Sequence, residues 1–242
     1  MNLRYISIGP SMNRTPDEVR YDFELRTRYI SNYLSRSIRT FRFSTDGTFN
    51  QIHVGLVEDQ PGPTRIVPLN ALVAEITYNR GAYDKIKGSE DCVYYLSLFE
   101  EGFRKASQFK EIPLQTLLDL IEEFRRIGCK NEWLHKKKLF KENDIAVAMN
   151  CYLTTNSFEL VVTVSRVSTN AELCKGALLR TDPDEVLFQG MFKDILINKS
   201  KIVITDAGDS PKFLIDLNMA LSGMLSFERI DMNLDEMATY LV

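Results

Sequence analysis

IAVAMNCYLTTNSFELVVTVSRV, residues 145–167, decides the fold class. Two runs rich in β-branched and aromatic residues, Ile145 to Thr154 and Phe158 to Val167, flank the polar break Thr155-Asn156-Ser157. That pattern predicts a β-hairpin, and a hairpin pairs its strands antiparallel. Asn150, inside the first run, is expected to face solvent or a ladder neighbour. Helical segments elsewhere in the chain then make the expected class α+β rather than all-β.

Upstream, Phe41-Arg42-Phe43 and Phe49 to Val57 flank Thr45-Asp46-Gly47, whose Asp-Gly pair tolerates the positive φ of a tight turn. A second hairpin is expected there. Leu3 to Ile8 alternates apolar and polar like a strand, stopped by Gly9-Pro10. Thr15-Pro16-Asp17-Glu18 reads as a helix start, and the helix is expected to reach about Arg36. Arg65 to Tyr78 supplies one or two further strands. Val93, Leu96, Phe99, Phe103 and Ala106, then Leu114, Leu117, Leu118, Ile121 and Phe124, recur at helical spacing on either side of Ile112-Pro113. A short loop between two helices favours an antiparallel pair, here ending at Gly128.

Downstream, Lys201 to Thr205 reads as a short strand. Ser210-Pro211 is expected to open an amphipathic helix through Phe213, Leu217, Ala220, Leu221, Met224 and Leu225. Asn233 to Glu236 resembles the cap of a short terminal helix. The expected fold is α+β, with mainly antiparallel strands in two hairpins, packed with a central helical pair and a C-terminal amphipathic helix. It is expected as a single domain over 1–242, whose finer division is two lobes, 1–141 and 142–242.

A chain of 242 residues can bury a sizeable core, and 44% hydrophobic with 26% charged residues excludes a disordered segment or a coiled coil. No apolar run approaches the roughly 20 residues of a membrane span. The opening MNLRYISIGP lacks the pattern of a secretory signal, so a soluble, cytoplasmic protein is expected. Cys92, Cys129, Cys151 and Cys174 form no close pair of the kind that holds zinc, and free thiols are expected.

Charge is the most informative feature for function. Arg125 to Lys141, RRIGCKNEWLHKKKLFK, sets seven Lys/Arg against Glu132 and holds the sole tryptophan, Trp133. A cationic surface with embedded aromatics suits an anionic partner. Arg125, Arg126, Lys130, Trp133, His135, Lys136, Lys137, Lys138 and Lys141 are therefore the candidate partner-binding residues. The plainer alternative is an amphipathic helix, with Trp133 and Phe140 inward and a solvated basic face. Residues 1–80 carry ten arginines, no lysine and eight acids, which reads as helix-borne ion pairing with Asp17, Asp22 and Glu24. Residues 206–242 carry seven acids against Lys212 and Arg229, a second surface for a partner of opposite charge.

Asp206-Ala207-Gly208-Asp209-Ser210, expected between a strand and a helix, is the best enzyme-like constellation. Asp206 and Asp209 could hold Mg²⁺ there, although a capping turn is the commoner use of such a sequence. His53 and His135 are the only imidazoles, and no glycine-rich, P-loop or His-Glu-x-x-His motif is present. A non-catalytic protein-binding module without a cofactor is the reading that asks least of missing motifs. An immunity-type protein, which neutralises a cognate toxin by covering it, is one form of it. The alternatives are a metal-dependent enzyme acting on a phosphorylated or anionic substrate, and a nucleic-acid-binding protein that uses the Trp133 region.

Overall fold

A computed structural model describes residues 1–230 as a chain with six helices and twelve strands. The cap expected at Asn233 to Glu236 lies outside the described residues, as does Asp231. The chain divides into two compact units, one comprising Met1–Asn131 with Leu153–Asn156, the other Glu132–Tyr152 and the residues from Ser157 onward.

The first unit is built from β1 (Tyr5–Pro10), α1 (Asp17–Phe41), β2 (Gln51–Val57), β3 (Arg65–Val67), β4 (Ala71–Thr77), α2 (Arg80–Ile86), α3 (Val93–Ser107) and α4 (Leu114–Arg126). Its sheet has the order β1-β2-β4-β3, with β1, β2 and β4 parallel and β3 antiparallel to β4. Parallel neighbours need a long crossover, and the 25 residues of α1 supply it between β1 and β2. Ile6, Ile8, Ile52, Val54, Leu56, Leu72, Ala74 and Ile76 alternate onto one buried face. On α3, Gly102 takes the close approach to β2, since a Cβ there would overlap the Val54 side chain. The helices meet through aromatics. Phe23 packs on Tyr78, Tyr83 and Tyr95, and Phe124 packs on Tyr29 and Tyr33. Ser35 Oγ accepts from Ile6 N at 2.8 Å and donates to Ile6 O at 3.1 Å, satisfying backbone groups of the outermost strand.

In the second unit β5 (Asn131–Phe140), β6 (Ile145–Leu153), β7 (Phe158–Arg166) and β8 (Glu172–Thr181) form one sheet in that order. A second sheet has the order β12-β11-β10-β9, all antiparallel, from β9 (Asp194–Asn198), β10 (Lys201–Thr205), β11 (Pro211–Asp216) and β12 (Phe227–Arg229). Two short helices, α5 (Glu185–Phe188) and α6 (Leu217–Leu221), complete it. Ile145, Val147, Met149, Cys151 and Leu153 of β6 and Phe158, Leu160, Val162 and Val164 of β7 are buried at alternate positions. Phe158 stacks on Phe188 with ring centroids 3.6 Å apart.

The runs Ile145 to Thr154 and Phe158 to Val167 fall on the neighbouring strands β6 and β7, α3 and α4 occupy the two helical runs, and the α+β class matches the sequence reading. Four expectations do not. The first hairpin is absent: Phe41 is the last residue of α1, and β2 pairs in parallel on both sides. Buried Ile38 shows why the helix outruns Arg36, because the core continues to reward it. The expected C-terminal helix is mostly strand, since Phe213 and Ile215 bury at alternate positions opposite β10. Only Leu217–Leu221 is helical, capped by Asp216, which accepts from Asn218 and Met219 N–H. The basic stretch, weighed as an amphipathic helix, is strand β5 over most of its length. Finally, Cys92 and Cys129 are joined in a disulfide with Cα atoms 6.4 Å apart, while Cys151 and Cys174 are buried. No described helix is long and apolar enough to cross a membrane.

Candidate functional site

Strand β5 starts where α4 is forced to stop. Gly128 at φ 71° and Cys129 at φ 57° both take the left-handed conformation that ends helices. Asn131 then fixes the entry to the strand: its amide donates to Tyr29 O at 2.8 Å, and its side-chain oxygen accepts from Arg36 Nη2 at 2.6 Å. Beyond it, β5 is the outer strand of its sheet, with β6 as neighbour.

The strand sorts the basic residues into two groups. Lys136 Nζ and Lys138 Nζ each stand 2.8 Å from Asp194, one on either carboxylate oxygen. Those hydrogen bonds from Lys136 and Lys138 hold the Asp194 carboxyl well below the usual carboxylate range. Arg125 lies on α4, where it pairs with Glu100 at 2.8 Å and with Glu122. Arg126, Lys130, Lys137 and Lys141 are exposed, with no ion pair among the described residues. Trp133 packs on Phe158 and His135 sits edge-on to Phe192, with ring centroids 6.2 and 4.8 Å apart. Burial, then the nearby Lys136 charge, push the His135 pKa down, so the imidazole is neutral near pH 7.

Sequence reasoning missed Leu134 and Leu139, which are 56% and 55% exposed on this strand. A helical reading pairs Trp133 with Phe140, gives Leu134 and Leu139 no role, and hides the period-2 series Trp133, His135, Lys137, Leu139 that could have revealed Leu139. The structure thus brings Trp133, His135, Lys136, Lys137 and Lys138 onto one strand, with Lys141 just beyond it. Arg125 and Arg126 remain on α4.

Asp206 and Asp209 lie in the turn between β10 and β11, not between a strand and a helix. Asp206 Oδ1 accepts from Gly208 N at 2.9 Å and Ser210 N at 3.0 Å, closing the turn on itself. Asp209 adopts φ 64° and pairs with Lys193 at 2.8 Å. The strand-to-helix geometry that suggested a metal site is therefore not formed, and among the described residues no group of three or more His, Cys, Asp or Glu side chains converges as a metal site would.

A second polar group spans the parallel sheet of the first unit. Gln51 Nε2 donates to Ser7 Oγ at 2.9 Å, and Ser7 Oγ lies 2.9 Å from His53 Nδ1. Ser7 Oγ accepts from the amide, and the direction of its bond with His53 Nδ1 follows the tautomer of the ring. Burial pushes the His53 pKa down to about 4, which keeps the ring neutral. The adjacent row is Gly9, Gly55 and Glu75. Glu75 is buried. Burial raises its pKa, but Gly62 N–H at 2.8 Å and Arg65 at 2.7 Å outweigh that and hold it ionised. Lys105 Nζ donates to both Gly62 O and Glu75 O, which ties the loop after β2 to β4. His53 and Ser7 are 46 positions apart, so no local spacing announces this chain of hydrogen bonds.

No protein-family model matches the chain, no curated protein is significantly similar to it, and no solved structure significantly resembles it.

Proposed function

We propose that the chain is a non-catalytic protein-binding module that meets its partner through β5 and the basic residues around it. One observation carries this: two leucines more than half exposed share an outer strand with Lys137, between Lys130 and Lys141. Apolar side chains set among unpaired cations suit a protein surface of complementary shape and charge. A phosphate backbone would draw on the three consecutive lysines, yet Lys136 and Lys138 both bond to Asp194, whose single charge offsets one of theirs. An immunity-type role, in which the partner is a toxin covered by the module, is the specific form of this proposal. Among the described C-terminal acids, Asp206 closes its own turn, and Asp209 and Asp216 pair with Lys193 and Lys201.

Affinity capture on the tagged chain, with nuclease present, tests the proposal when run beside a Lys130→Glu/Lys137→Glu/Lys141→Glu variant. A stoichiometric protein held by the parent chain and lost from the variant supports it. Retention by both, or recovery of nucleic acid alone when nuclease is omitted, refutes it.

A further inference from the structure

We propose that β5 takes up its partner by strand addition: an extended acidic segment of the partner pairs antiparallel with the outer edge of β5 and becomes the next strand of that sheet. This rests on the reading of the chain as a protein-binding module and names how the partner is held.

Ten residues of extended chain present an edge about 33 Å long. Proteins usually blunt such an edge by keeping it short or by placing proline, a bulge or charge on it. Residues 131–140 contain neither Pro nor Gly, and the charge on this strand is Glu132 near its start and the run Lys136–Lys138 in its second half. Lysine acts selectively. A second copy of this chain would bring Lys136–Lys138 against another run of the same charge, so edge-to-edge pairing of two copies is opposed. An acidic strand meets no such barrier and gains an unpaired cation at Lys137. The sheet supports the direction, since β7 and β8 are already antiparallel.

The exposed side chains also set a register. Leu134, Lys137 and Leu139 are the exposed apolar and unpaired basic positions of the strand, with Leu134 on one face and the other two on the opposite face. Residues directly opposite one another on paired strands interact most strongly. Read in the antiparallel direction, the incoming segment places an apolar residue against Leu139, an acid against Lys137 two residues later, and an apolar residue against Leu134 three residues after that. Its pattern is apolar-x-acid-x-x-apolar.

Two synthetic peptides, TTVTETTVTT and TTVTKTTVTT, test this on the full-length chain by amide hydrogen exchange of residues 131–140. The glutamate peptide is expected to slow exchange there at least tenfold and the lysine peptide not at all, with the preference reversed by Lys137→Glu. No protection by the glutamate peptide, equal protection by both, or protection in the free chain through self-association would overturn the proposal. The two proposals fail differently. If a captured partner depends on Lys137 but leaves exchange in β5 unchanged, the binding surface stands and strand addition falls. If the partner is indifferent to Lys130, Lys137 and Lys141, both fall.

Discussion

Lys138 Nζ lies 2.8 Å from Asp194 Oδ2, and Lys136 holds the other oxygen of the same carboxylate. One acid on β9 thereby engages two of the seven cations in the Arg125–Lys141 stretch, offsets one of their charges, and leaves Lys137 as the unpaired one of the three lysines.

Removing that acid charge should convert the strand into a stronger polyanion site. Asp194→Asn is expected to shift elution from heparin to higher salt, because three adjacent lysines then face solvent unpaired. Unchanged elution would mean that Lys136 and Lys138 are not paired with Asp194 in solution.

The Cys92–Cys129 bond closes a loop of 37 residues from the start of α3 to the end of α4. Chain-entropy arguments give such a cross-link about 4 kcal/mol at most. Cys92→Ala/Cys129→Ala, or reductant alone, should lower the thermal midpoint of the parent chain, and the reductant should not move the double variant. Thiol alkylation of protein taken from its native compartment reads the same bond directly. A reducing cytoplasm keeps such pairs as thiols, so an intact disulfide there would argue against the cytoplasmic location expected from the sequence.

His53 predicts a pH window. Its pKa is near 4 in the folded chain and near 6.5 when exposed, so the unfolded chain binds the proton first as pH falls. Stability is expected to decline from pH 6.5 to pH 4 by roughly 3–4 kcal/mol at most, with no further loss from this group below that. Denaturant titrations across the range should show the slope in the parent chain and its loss in His53→Asn. A slope that survives the substitution would place its origin elsewhere.

Gly102→Ala should destabilise the chain by about 1–3 kcal/mol, because the added methyl overlaps the Val54 side chain where α3 meets β2. Val54→Ala in the same chain should recover part of the loss, as read from unfolding midpoints.

Strands β6 and β7 were legible because alternation, β-branched residues and a polar break all agree there. The α3–α4 pair was legible for the same reason at helical spacing. Phe213-Leu214-Ile215 was not, since a short apolar run fits strand and helix alike and pairing with β10 decides it. At Phe41, an Asp-Gly turn signal competed with a helix that its buried residues prolong, and burial won. The candidate strand was half legible. Its charge stood out, but which lysines remain unpaired depends on Asp194, 56 positions beyond Lys138, and no local pattern carries that information.

β5 with its unpaired Lys137, flanked by Lys130 and Lys141, is proposed to hold a protein partner, and the equilibrium affinity of that purified partner for the parent chain and for Lys137→Glu tests this most directly. A loss of tenfold or more in Lys137→Glu, steeper at low than at high salt, is the predicted result. An affinity unchanged by Lys137→Glu at both salt concentrations would contradict it.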